Sequence, residues 1–98
     1  IPVINSSNQT TYKYGDTLIL YGTNLTPGLY VYANNGNIYA FGNNNYLSVN
    51  ASKTELTLEL TYSRQMFPSY YGTQDDFPTK LQILNNGRFG AIYTVDFD

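Results

Sequence analysis

Residues 14 to 25, Tyr14-Gly15-Asp16-Thr17-Leu18-Ile19-Leu20-Tyr21-Gly22-Thr23-Asn24-Leu25, run a turn, an alternating strand and a second turn in immediate succession. Gly15-Asp16 breaks the chain before the strand, Leu18 and Leu20 share one face of it, and Gly22 ends it. The rest of the chain keeps this grammar. Nothing reads as an amphipathic helix, while β-branched and aromatic residues alternate with polar ones between clusters of Asn, Gly, Pro and Thr. The chain is predicted to be all-β.

The clearest strand is 55 to 62, with Leu56, Leu58, Leu60 and Tyr62 on one face and Glu55, Thr57, Glu59 and Thr61 on the other. One face is buried and the other wet. Ile1-Pro2-Val3-Ile4 reads as an edge strand, because Pro2 lacks the N–H that a central ladder requires. Thr26-Pro27-Gly28 is a turn by its own chemistry. Beyond it, Leu29 to Ala33 and Ile38 to Phe41 flank Asn34-Asn35-Gly36-Asn37, a strong hairpin signal.

In the last hairpin, Leu81 and Ile83 should share a face with Tyr93, Val95 and Phe97. A three-residue loop Asn85-Asn86-Gly87, with Gly87 left-handed, achieves this by pairing Ile83 with Phe89 and Leu81 with Ala91. A two-residue Asn86-Gly87 loop would instead pair Ile83 with Gly90 and Leu81 with Ile92, placing Tyr93, Val95 and Phe97 on the opposite face. The three-residue loop is therefore the expectation.

The order around Gly15-Asp16 and Gly22 resembles the "G-D-x-hydrophobic-x-hydrophobic-x-G-x-x-hydrophobic" signature of IPT/TIG domains, which are small immunoglobulin-like modules. The opening Pro2-Val3-Ile4 is similar to that family's first strand. The closing segment, Leu81 through Gly87 and then Tyr93 to Phe97, is similar to its last strand-turn and aromatic strand. The resemblance implies an immunoglobulin-like β-sandwich of the early-set (E-set) type, about seven to nine strands in two sheets. Two stretches depart from the family: the long aromatic connection from Ser63 to Phe77, and the polar tract Asn43-Asn44-Asn45.

With 98 residues, 42% of them hydrophobic, the chain fits a single domain spanning 1–98. It opens at Ile1 without Met and is still running as a strand at Asp98, so it is expected to be a module cut from a longer protein. It has no Cys and no His, which removes disulfides, thiolate sites, Ser-His and Cys-His pairs and the usual general base near neutral pH. No enzyme activity and no cofactor are expected. Five basic residues and a net charge of −2 offer no patch for a run of phosphates, so nucleic acid is not an expected partner. No apolar run approaches the roughly 20 residues of a membrane-spanning helix, so direct membrane insertion is not expected either.

The carboxylates offer no site. Asp75-Asp76, Asp96 and Asp98 lack the loop spacing of a calcium site, and Glu55 and Glu59 lie on a strand's wet face rather than in a cleft. No metal is expected.

Eleven Tyr concentrate attention on recognition, since Tyr supplies a large amphipathic contact area with few rotatable bonds. Tyr30 and Tyr32 alternate against Leu29, Val31 and Ala33 and look outward if that aliphatic face is inward. The alternative, a two-residue Asn35-Gly36 loop, gathers Tyr30, Tyr32, Tyr39 and Phe41 into a cross-strand cluster suited to a core. The connection 64 to 78 either plugs the end of the sandwich or presents a contact surface, with Phe67, Tyr70 and Tyr71 as its candidate partner-binding residues. Four sequons begin at Asn5, Asn8, Asn24 and Asn50. Pro27 weakens the third, leaving Asn5, Asn8 and Asn50 as acceptors in a secreted eukaryotic protein.

The expected function is a non-catalytic recognition or spacer module of a cell-surface or secreted protein, adhering through a protein partner or neighbouring domains of the same chain. Two alternatives stand beside it: an accessory glycan-binding module of a polysaccharide-processing protein, and a virion or phage surface decoration domain.

Overall fold

The computed structural model describes residues 2–33, 39–41, 46–61, 67 and 79–98. They form nine strands: β1 (Val3–Ser7), β2 (Thr11–Tyr12), β3 (Thr17–Thr23), β4 (Tyr30–Ala33), β5 (Tyr39–Phe41), β6 (Leu47–Val49), β7 (Glu55–Glu59), β8 (Thr79–Asn85) and β9 (Arg88–Phe97). One sheet has the order β1-β3-β7-β6 and the other β2-β9-β8-β4-β5. The two pack face to face as a β-sandwich, with no helix among the described residues.

Turn chemistry explains why β3 starts and stops where it does. Gly15 takes a φ of +95°, open to glycine and strained for other residues. The Asp16 carboxylate accepts from Lys13 N–H at 2.9 Å, while Gly15 N–H donates to Leu60 O at 2.8 Å and fastens the turn to the end of β7. At the far end, Gly22 lies against β1. A Cβ built there would run into the Val3 carbonyl oxygen and lie 2.9 Å from its carbon. Glycine at 22 is thus a condition for β1 to pair with β3.

Alternation fills the interior. Leu18 and Leu20 from β3, Leu56 and Leu58 from β7, and Leu60 just beyond it face Leu81, Ile83, Val95 and Phe97 across the sandwich, all buried. Tyr62 lies outside the described residues. Tyr12 is buried as well, its ring edge-on to Phe97 at 6.2 Å. Its hydroxyl donates to Asn8 Oδ1 at 2.7 Å and accepts from Gln9 N–H at 3.0 Å. Asn8 Oδ1 also accepts from Ile19 N–H at 2.9 Å, so this side chain extends the β1–β3 ladder past the last paired residue.

The β8–β9 hairpin departs from the expected three-residue loop. Asn85 pairs with Arg88 and Leu84 with Phe89, leaving Asn86-Gly87 as a two-residue turn with both φ values positive, +52° and +76°. Such a turn matches the right-handed twist of the flanking strands. A bulge follows: the register moves by one residue between Leu84 and Gln82, and Leu81 then faces Tyr93. The expected pairs Ile83 with Phe89 and Leu81 with Ala91 do not form. Tyr93, Val95 and Phe97 still reach the inner side, through the bulge rather than through a longer loop. Phe89, expected opposite Ile83, goes to the outer face.

Tyr32 pairs with Ala40 and Ala33 with Tyr39, leaving 34–38 between β4 and β5. The register required by a two-residue Asn35-Gly36 loop is not the one adopted, and the Asn-rich turn itself lies outside the described residues.

Three outcomes test this packing. Leu58→Ala should cost about 2–5 kcal/mol in chemical denaturation, and Thr57→Ala well under that. Gly22→Ala should cost more than about 2 kcal/mol, because the obstacle is backbone. Burial pushes the Tyr12 phenol upward, against the smaller opposing effect of its hydrogen bond to Gln9. The folded state then holds this proton more tightly than the unfolded chain. Its contribution is complete below about pH 10 and is lost as pH rises through the folded value, so Tyr12→Phe should flatten the alkaline fall in stability.

Candidate functional site

The outer face of β4, β8 and β9 gathers apolar side chains that the core does not use. Tyr30 and Tyr32 alternate with buried Val31. Tyr30 is across from Leu84 and Tyr32 from Gln82, while Phe89 is across from Leu84 on the other side. Tyr30 is 41% exposed, and Phe89 and Ile92 are each 55% exposed. The Tyr32 and Phe89 rings meet edge to face, centroids 5.4 Å apart and planes at 65°. Each ring thereby holds the other in place across the hairpin.

The bulge supports this cluster. Gln82 Nε2 donates to Gly90 O at 2.9 Å, bridging the strands where the ladder shifts. Beside Phe89, a cleft lined by Pro2, Asn85, Asn86, Arg88 and Gly90 opens next to the turn. Charge is confined to the ends of the face. Arg88 lies at the turn, exposed Lys80 and Asp96 at the opposite end, and the outward residues between them are uncharged.

Tyr30 and Tyr32 therefore lie on the outward side. Phe67 does not belong to a surface: it is 1% exposed, stacked on Phe97 at 4.9 Å and 13°, with Tyr14 edge-on at 5.9 Å. At this position in the connection the plug reading holds, because an aromatic side chain at the open end of a sandwich covers core that would otherwise meet water. Tyr70 and Tyr71 lie outside the described residues. Phe89 is the surface residue that strand alternation missed, and the Asn86-Gly87 dipeptide was the signal that pointed to it; Ile92 is outward by its alternation with Tyr93.

The sequons lie on or beside the other sheet. Asn5 is exposed at the irregularity between Ile4 and Ser6 in β1. Asn8 donates through Nδ2 to Thr17 O at 3.1 Å. Asn24 is left-handed at +57°. Asn50 binds the turn before β7, accepting from Thr54 and Glu55 N–H at 2.8 and 3.0 Å and donating to Thr54 Oγ1 at 2.9 Å.

Among the described residues no three acidic side chains converge as metal ligands. What the outer face can do chemically is bury apolar and aromatic area against a partner. No protein-family model, curated protein or solved structure matches the chain.

The ring pair has a measurable energy. A double-mutant cycle on Tyr32→Ala and Phe89→Ala should give a coupling of about 0.5–1.5 kcal/mol in denaturation, and the same cycle on Tyr30 and Ile92 close to zero.

Proposed function

We propose that this chain is a non-catalytic recognition module of a cell-surface or secreted protein, akin to the IPT/TIG immunoglobulin-like modules, that binds a protein partner through the outer face of β4, β8 and β9. The observation that carries the reading is the uncharged cluster on one sheet face, with Tyr30, Phe89 and Ile92 exposed and Tyr32 half-buried against Phe89. Aromatic residues are enriched at protein interfaces, and contiguous apolar patches on folded domains mark interaction sites. A rigid sheet presents such side chains at little entropic cost.

The strand order supports the immunoglobulin-like part. In such sandwiches strands A, B, E and D share one sheet and C, F and G the other. The orders β1-β3-β7-β6 and β9-β8-β4 follow that arrangement with β1, β3, β6 and β7 in the places of A, B, D and E. The roles of Gly15, Asp16 and Gly22 also give the resembled signature a physical reason. The non-catalytic part draws on the absence of His and Cys.

A protein partner is favoured over a glycan because Trp, the larger stacking platform for a sugar face, is absent from the chain.

The test is a binding screen of the labelled domain against displayed cell-surface ectodomains and an array of glycans, run in parallel with the double variant Tyr32→Ser, Phe89→Ser. The reading predicts ectodomain partners whose affinity falls by more than about tenfold, roughly 1.4 kcal/mol, in a variant that remains folded. Binding confined to glycans, or protein binding that the variant leaves intact, would contradict it.

A further inference from the structure

Two clefts beside β9 form one groove with chemically different ends. One lies at the Asn86-Gly87 turn among Asn85, Asn86, Arg88 and Phe89, and the other between β9 and the start of β1, lined by Val3, Ile4, Ile83 and Ile92. Pro2 and Gly90 line both, so the groove passes from one to the other between these two residues.

The end beside β1 is apolar. Val3 and Ile92 are exposed there and Ile83 is buried. At about 170 Å³ it is smaller than the roughly 300–1,000 Å³ of small-molecule pockets, a size for one aliphatic side chain rather than a whole ligand. The turn end is wider, about 490 Å³, and Arg88 is the sole charged side chain among the described residues that line either part. Arg88 is exposed, and among the described residues no carboxylate pairs with it. A free guanidinium presents a planar fork of donors that fits a carboxylate with two parallel bonds.

Gly90 keeps the passage open. A Cβ built on it lies 3.6 Å from Pro2 O and 3.6 Å from Ile83 O, so it would stand in the groove at ordinary contact distance without striking the backbone on either side.

We propose that this groove docks a segment of a protein partner in which an acidic side chain lies within a few residues of an aliphatic one, the carboxylate on Arg88 and the aliphatic group in the cleft between β1 and β9. Charge selects this occupant. With seven acidic residues against five basic ones the chain as a whole does not attract carboxylates, so the pull is local to Arg88 and weakens with added salt. Side chains make the contact, and no backbone pairing along β9 is needed. The inference rests on the protein-partner reading above and deepens it, since Phe89 and Ile92 belong to both the groove and the outer face.

Selection of a displayed library of short random peptides on the purified chain, followed by titration of the enriched peptides, tests it. The expected peptides combine Asp or Glu with Leu, Ile or Val. Replacing the acid by its amide should weaken each about tenfold or more, as should Arg88→Gln, and the amide peptide should no longer respond to Arg88→Gln. Arg88→Lys keeps the charge without the fork and should restore only part of the affinity. Gly90→Ala should weaken the same peptides by narrowing the passage. If Gly90→Ala fails to fold, Arg88→Gln, at an exposed position, carries the test. No enrichment, enriched peptides without an acidic residue, or acidic peptides indifferent to Arg88→Gln would each overturn the proposal. Peptides that ignore Arg88→Gln and Gly90→Ala but are lost in the Tyr32→Ser, Phe89→Ser variant overturn the groove and leave the outer face standing. Failure of the protein-partner reading itself shows in the ectodomain screen, not in this titration.

Discussion

The bulge in β9 decides what this sandwich hides and what it shows. On the turn side of it, Leu84 pairs with Phe89 and the aromatic ring points outward. Past it, Leu81 pairs with Tyr93, and Val95 and Phe97 enter the core. An uninterrupted strand would put residues 89, 93, 95 and 97 on one face. The inserted residue separates the first from the others, and Gln82 bonds to Gly90 where the ladder slips.

Two aromatic groups result, one on each side of the same sheet. Inside, Phe67 stacks on Phe97 with Tyr12 and Tyr14 edge-on, and the Tyr12 hydroxyl is satisfied by Asn8 and Gln9. Outside, Tyr30, Tyr32, Phe89 and Ile92 surround no core and meet solvent. The inner group belongs to stability and the outer one to the proposed recognition.

Much of the fold was legible because alternation is a local signal. The inward faces of Leu56-Thr57-Leu58, Leu18-Ile19-Leu20 and Leu81-Gln82-Ile83 follow from side-chain parity, whereas parity only set Tyr30 and Tyr32 on the face opposite Val31, and the burial of Val31 in the structure decided which face that is. Phe89 was not legible in this way, since its face depends on a one-residue slip that no parity rule detects. The tight turn was written in Asn86-Gly87, but accepting it required a compensating bulge beyond it. Phe67 was ambiguous for a different reason: it sits in an irregular connection, where no period assigns a face and tertiary packing alone decides. The hydrogen bonding of Asn8 was equally hidden, because its sequence context reads first as a sequon.

The absence of cysteine in the natural sequence allows the position of the bulge to be measured directly. Single variants Phe89→Cys and Val95→Cys, each treated with a thiol-reactive probe under native conditions, report which face each position occupies. The account predicts that Cys at 89 reacts at close to the rate of the unfolded chain, while Cys at 95 reacts slower by orders of magnitude, limited by opening of the fold. Equal protection at both positions would place residue 89 in the core and remove the outer aromatic face on which the functional reading rests.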